Sequence, residues 1–219
     1  SASKVALAMS RTADSTSVVL VEEPENHLAH TRLMHLMGRL EALAAGRQMI
    51  VTTHSSYVLN RLGLGDLILL SDGGATRIND VSADTVRYFK RLSGYDTLRV
   101  VLADKLALVE GPADDMVLTR AYKDASGRMP HEDSIDIVSL RGTAFKRSLE
   151  LSHALDRQVI FLRDNDKKAI DDWTAHYGEL LDAKRRMYVG DPMLGKTLEP
   201  QIVAANARQI EVLRTALCL

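Results

Sequence analysis

Apolar runs of three to seven residues recur along the chain, most of them followed by a stretch with helical spacing. VVLV at 18–21 leads into a helix predicted near 28–45, and MIVTT at 49–53 into one near 55–61. DLILL at 66–70 precedes the turn residues SDGG and a short return strand, ATRI. SADTVRYFKRL at 82–92 has the spacing of an amphipathic helix capped by Ser82. GYDTLRVVLAD at 94–104 predicts a helical connector. A second series opens with LALVE at 106–110 and a helix near 113–125, followed by the loop ASGRMPHED. It continues with SIDIVSL at 134–140, a helix near 144–156, QVIFLR at 158–163, a helix near 167–183, MYV at 187–189 and a last helix near 200–217. Strands alternating with helices predict an α/β fold with mostly parallel sheets. In such sheets functional groups gather beyond the carboxyl ends of the strands, so the residues after each strand carry the argument.

In the second series those residues are acids. Glu110 follows LALV, with Asp114 and Asp115 one helical turn on. Asp164 and Asp166 follow QVIFLR, and Asp191 and Glu199 follow MYV. Crowded carboxylates repel, and burying them unpaired costs several kcal/mol each. A cluster at one end of a sheet therefore implies a compensating cation. Oxygen donors without His or Cys suit Mg²⁺ or Mn²⁺. Alternation of side chains along a strand is expected to turn both carboxylates of D-x-D to one side, and Gly111 to allow a sharp turn after Glu110. The alternative for Asp114 and Asp166 taken singly is a helix cap.

In the first series VVLV runs into Glu22, Glu23, Pro24, Glu25, Asn26 and His27, and MIVTT into His54. Two acids at a strand end beside a histidine on the neighbouring strand suit nucleotide hydrolysis: one acid holds Mg²⁺ and the next polarises water. The alternative is a helix-start signal.

The bulk numbers fit one large domain or two small ones: 219 residues, 46% hydrophobic and 26% charged. A net charge of -1 restricts any nucleic-acid surface to a local patch. Arg141, Lys146 and Arg147, the pair Lys167–Lys168, and the run Lys184, Arg185, Arg186 are candidates for contacting phosphates without reading sequence, or are solvated faces. Trp173 and Tyr177, four apart, fit packing better than a base-stacking platform. The lone cysteine, Cys218, excludes a disulfide framework and fits a reducing compartment, so a cytoplasmic location is expected. The chain has no apolar run of membrane-spanning length and no signal-peptide pattern, so no membrane partner is expected.

VVLVEEPENHL followed by VTTHSSYVL resembles the Walker B segment and switch histidine of ABC-type ATPases, in the subgroup that includes the OLD (overcoming lysogenisation defect) proteins. The resemblance implies that Glu22 stands where an aspartate is usual, that Glu23 is the catalytic glutamate and that His54 is the switch histidine. His30 lies where the D-loop would be. No G-x-x-x-x-G-K-[ST] loop is expected anywhere in the chain: the lysine–threonine pair of LGKT at 194–197 is read as lacking the first glycine at the required spacing, so no backbone nest is expected to cradle phosphates. The expectation is the distal part of an ATPase lobe that does not hydrolyse ATP alone, with ATP a cofactor of the full-length protein only.

LALVEGPADD, a strand, Gly142 and then VIFLRDND resemble a Toprim domain, and TLEP at 197–200 resembles a further acidic motif of OLD-type Toprim domains. An ABC-like half followed by Toprim is the order that marks the OLD family. The resemblance implies an ATPase remnant over 1–93, a connector at 94–104 and a Toprim nuclease domain over 105–219. It implies a metal-dependent DNA endonuclease. Glu110 and Asp114 would hold one metal, with Asp115 a substitute for Asp114. Asp164 and Asp166 would hold a second metal, Glu199 is a further ligand, and Lys196 balances transition-state charge. Two metals about 4 Å apart would serve in-line hydrolysis. DNA is the implied partner, and ABC-type dimerisation leaves room for a homodimer. The competing reading is a non-catalytic Toprim module for DNA or protein contact, as in RecR-type repair proteins.

Overall fold

The computed structural model describes residues 18–44, 46–63, 65–71, 74–78, 81–91, 96–140 and 144–216. Arg141, Gly142 and Cys218 lie outside them. The chain divides into two compact units, Ser1–Leu67 with Val86–Leu98, and Ile68–Thr85 with Arg99–Leu219.

In the first unit β1 (Val18–Glu22) pairs in parallel with β2 (Gln48–Thr52), and α1 (His30–Leu43) and α2 (Ser56–Leu62) follow them in turn. Period-two alternation decides which face is covered. Val19 and Val21 of β1, with Met49 and Val51 of β2, join Leu33, Leu36, Met37 and Leu40 of α1 and Val58 of α2 in one core. Leu20 and Ile50, on the other face, stay exposed. The Ser55 side chain accepts the Val58 N–H and starts α2.

The second unit holds the antiparallel hairpin β3 (Ile68–Ser71) and β4 (Gly74–Arg77), and a four-stranded parallel sheet. Helix α3 (Ala83–Arg91) starts at Ser82, whose Oγ accepts the Thr85 N–H at 3.2 Å as its sequence predicts. Helix α4 (Asp96–Leu102) lies within the stretch at 94–104 expected to be helical, and the division between the two units falls inside it, after Leu98. The sheet strands are β5 (Lys105–Val109), β6 (Ile135–Ser139), β7 (Gln158–Arg163) and β8 (Arg185–Val189), in spatial order β6-β5-β7-β8. Central β5 is apolar on both faces: Leu106, Ala107, Leu108 and Val109 are all buried, as a doubly covered parallel strand requires. Ala107, Val109 and Ile137 pack with Leu118 of α5 (Pro112–Ser126) on one face. On the other, Phe161 of β7 meets Phe145 of α6 (Ala144–Ala154) at 5.7 Å and Tyr177 of α7 (Ile170–Tyr177) at 5.2 Å.

Two predicted helices are shorter than their patterns. The helix expected at 167–183 starts only at Ile170, because Asp166 and Lys167 both have positive φ (51° and 65°), and it gives way at Gly178 to a short 3-10 turn. The one expected at 200–217 splits into α8 (Leu198–Ala205) and α9 (Ile210–Ala216) around Asn206, whose Nδ2 donates to the Ile202 carbonyl at 2.8 Å. The loop ASGRMPHED contains a 3-10 turn at Pro130–Asp133. Among the described residues no helix is long and apolar enough to cross a membrane.

Candidate active site

The strand order places a switch point between β5 and β7. The chain leaves β5 towards β6 on one side and leaves β7 towards β8 on the other, so the two connections diverge and open a crevice at their carboxyl ends. Glu110 stands at the end of β5 and Asp164 at the end of β7. Burial first, then the negative charges of Asp114, Asp166 and Glu199, push the Asp164 carboxyl above its ordinary range. Burial does the same to Glu110, with Arg163 pulling it back and Asp164 and Asp166 adding to the rise. Five of the predicted acids thus share one electrostatic neighbourhood. Asp115 is bound elsewhere, accepting from Thr119 Oγ1 at 3.1 Å.

Local geometry differs from two sequence expectations. D-x-D is not part of the strand: β7 ends at Arg163, and Asp166 has φ 51°, so strand alternation does not aim its carboxylate. A turn does, built on the wholly buried Asn165. Asn165 Oδ1 accepts the Lys167 N–H at 2.8 Å, and its Nδ2 donates to the Gly195 carbonyl at 2.6 Å. That second bond ties the D-x-D turn to the loop that carries Lys196 and leads to Glu199. Gly111 is extended (φ -148°), a conformation open to any residue, so it supplies no special turn. Asp114 does act as a cap, accepting the Gly111 N–H at 2.8 Å, so one carboxylate serves both the helix start and the acidic cluster. Asp166 is not the cap of α7; Asp172 reaches back to the Ala169 N–H at 3.2 Å instead.

Sequence reasoning missed Arg163. Its guanidinium Nη2 lies 3.3 Å from Glu110 Oε1 and 3.2 Å from Asp166 Oδ2. Nothing in its spacing marked it, because a strand-terminal arginine reads as a solvated edge residue.

In the first unit Glu23 and His54 come together, with His54 Nδ1 3.6 Å from Glu23 Oε1 and 3.2 Å from Glu25 Oε1. Glu25, also missed, organises the pair: its Oε1 accepts from Thr53 Oγ1 and from the His54 N–H, both at 2.8 Å. Glu23 (φ 40°) and His27 (φ 61°) sit in left-handed backbone, the kind of strain that collects at functional turns. Glu22 is exposed at the end of β1, and His30 packs edge-on against Tyr57 at 4.9 Å.

Residues 101–166, which run through Glu110 to the D-x-D turn, match the family described as "Overcoming lysogenization defect protein-like, TOPRIM domain". The chain carries an OLD-like Toprim domain. Ahead of it, residues 2–60 match the family described as "AAA domain, putative AbiEii toxin, Type IV TA system". Together they form the ATPase-plus-Toprim arrangement of the OLD family, a nuclease and ATPase family. No curated protein matches the chain.

The first glycine that LGKT was expected to lack is present. Gly190 stands five residues before Gly195, so GDPMLGKT has the full G-x-x-x-x-G-K-[ST] spacing between β8 and α8. It does not form an open phosphate nest. Asp191 takes the Met193 N–H at 2.9 Å through its side chain and the Leu194 N–H at 3.1 Å through its carbonyl. The Gln201 amide lies against Gly190, where a Cβ would come within 1.8 Å, and donates to the Gly195 carbonyl at 3.1 Å. Lys196 is exposed on this loop, and Thr197 Oγ1 donates to Glu199 Oε2 at 2.8 Å.

Several basic candidates are spent on the fold. Arg185 is buried against Asp182, and Lys184 pairs with Asp156. Arg147 donates to Thr85 Oγ1 at 3.0 Å and lies 3.7 Å from Asp84. Lys146 and Lys167 are exposed. Trp173 and Tyr177 are buried and stacked, as packing predicts.

The donors fit a divalent cation in kind: hard carboxylate oxygens, two of them held above the ordinary carboxylate range by burial and then by neighbouring acids, with one guanidinium between two of the set. They are neighbours rather than a closed cage. Among the described residues, no three His, Cys, Asp or Glu side chains converge as they would on a single ion.

Proposed function

We propose that the OLD-like Toprim unit is a Mg²⁺- or Mn²⁺-dependent DNA endonuclease, its domain running over 105–219 behind a connector at 94–104. The observation that carries this reading is the charge imbalance at the switch point. Glu110, Asp114, Asp164, Asp166 and Glu199 share one neighbourhood in which burial and mutual repulsion raise two of them. The guanidinium of Arg163 bridges only Glu110 and Asp166. Glu110 and Asp114 would hold one ion, Asp164 and Asp166 a second, with Glu199 beside them. Bound ions would supply a polarised water and a counter-charge for the leaving oxygen of the phosphodiester. Asn165 ties the D-x-D turn to the Gly195 carbonyl, one residue before Lys196, and Lys196 would meet the phosphate. Exposed Lys146 and Lys167 would meet the DNA backbone without reading sequence. In the first unit Glu23 and His54, 3.6 Å apart, would face the γ-phosphate of a nucleotide.

The Arg163 bridge favours the competing reading, a Toprim module that binds DNA without cutting it. Supercoiled plasmid incubated with the chain and Mg²⁺, Mn²⁺ or EDTA separates the two. Metal-dependent nicking or linearisation, lost in an Asp164→Ala/Asp166→Ala variant, is the expected result. Plasmid shifted on a gel but uncut with every metal would sink the nuclease reading.

A further inference from the structure

Arg163 ends β7 with its side chain nine-tenths buried and every edge of its guanidinium engaged. Nη2 faces Glu110 and Asp166. Nη1 donates to the Tyr177 hydroxyl at 2.8 Å, and Nε to the Asp164 carbonyl at 3.2 Å. The flat face lies on Trp173, with Cζ 3.4 Å from a ring centroid, and Trp173 Nε1 donates to the Asn165 carbonyl at 3.1 Å. An arginine held along its edges and on its face is fixed in orientation. A buried ion pair contributes little net stability over an apolar replacement, so fold stability alone does not account for this arrangement. The contacts fall into two sets. Tyr177, the Asp164 carbonyl and Trp173 hold the guanidinium through neutral groups, whereas Glu110 and Asp166 hold it through charge.

We infer that Arg163 is a built-in counter-cation, a positioning residue that holds Glu110 and Asp166 in place until a divalent ion competes for the same oxygens, so that ion uptake is felt at Trp173. The inference rests on reading these acids as metal ligands. An entering ion takes up carboxylate charge and repels the guanidinium, weakening the Nη2 contacts. The neutral contacts do not depend on that charge and keep the side chain at the site. Removing the positive charge should therefore make ion binding tighter, the opposite of what a merely structural arginine would do when lost. Lys168, whose Nζ lies 4.5 Å from the Trp173 ring, remains in place in either variant below.

Trp173 is the only tryptophan in the chain, so its emission reports on this site. Mg²⁺ titrations followed by calorimetry and by tryptophan emission, on the wild type, R163Q and R163K, test the inference. In the wild type, uptake and the emission change should share one midpoint. R163Q should bind Mg²⁺ on the order of tenfold more tightly, as loss of a unit charge a few ångströms away implies, and its emission should no longer respond. R163K keeps the charge without the fork or the stack, and should bind near the wild-type affinity with a reduced emission change. Equal or weaker Mg²⁺ binding by R163Q with an intact circular dichroism spectrum overturns the role of Arg163 and leaves the metal reading standing. So does flat wild-type emission across a complete binding isotherm, a result that decides the matter even when R163Q does not fold. Absence of Mg²⁺ uptake by the wild type defeats the metal reading and this inference together.

Discussion

Both units end a parallel strand on carboxylates, yet the two sites are balanced differently. In the first, His54 and Glu23 are largely exposed, 64% and 44%, and polar partners serve the acids: Asn26 donates to Glu23, and Thr53 with the His54 N–H to Glu25. In the second, five acids after β5, β7 and β8 share one electrostatic neighbourhood, and one largely buried guanidinium bridges two of them, Glu110 and Asp166. Acids at a strand end are therefore not diagnostic by themselves. What separates a hydrogen-bonded turn from a cation-demanding cluster is burial without enough opposite charge.

The largest test of that contrast is removal of D-x-D. Asp164→Ala/Asp166→Ala should lower metal-dependent cleavage by on the order of a thousandfold, since placement of the ions is worth several kcal/mol in such sites. Next comes Asn165→Ala, which cuts the tie to Gly195. Plasmid cleavage should fall about 10–100-fold, and urea melts should show a loss of about 1–3 kcal/mol, because the Lys167 N–H loses its acceptor and the Gly195 carbonyl keeps only the Gln201 amide. Unchanged cleavage in this variant would mean that Glu199 and Lys196 are not part of the second site.

The pH dependence is a smaller effect. A carboxyl raised by burial favours folding when protonated, so its contribution is complete below the ordinary carboxylate range and is lost as pH rises through the raised pKa. In EDTA, Asp164→Asn should therefore melt about 1–3 °C above wild type near pH 7, and the gap should close towards about pH 4. With Mg²⁺ the order should reverse, because the wild type alone keeps the full ligand set. Asp156, lowered by Lys184, runs the other way with pH but is common to both proteins and cancels in the difference. A gap that does not change with pH would remove burial as the cause. The smallest effect belongs to the first site. Glu25→Gln keeps an acceptor for Thr53 and His54 and should cost about 0.5–1.5 kcal/mol in urea melts. A cleavage defect as large as that of the D-x-D variant would break the separation of the two sites.

The strands were legible because each parallel strand is a short apolar run, and β7 spans QVIFLR as its composition predicts. The acids were legible because each follows such a run. Helix ends were less so: Asp166 and Lys167 adopt left-handed backbone, which a pattern of charged residues does not reveal, and Asn206 interrupts an otherwise continuous helical stretch. The fate of the basic residues was also hidden. Lys184 and Arg185 were open to phosphate contact or to solvent, but Asp156 and Asp182 claim them. GDPMLGKT shows the limit from the other side, since its spacing is that of a phosphate loop while Gln201 and Asp191 close it.

By itself, then, the order of residues determined the α/β architecture, the two strand-end acid sets and the ATPase-then-Toprim order, because local periodicity and the residue after a strand depend only on neighbours in the chain. Tertiary structure alone decided which acids share a field, that Arg163 lies between Glu110 and Asp166 on the face of Trp173, and that Asn165 ties two loops thirty residues apart. Those are matters of distance and burial between segments remote in sequence, and side-chain charge acts through space rather than along the chain.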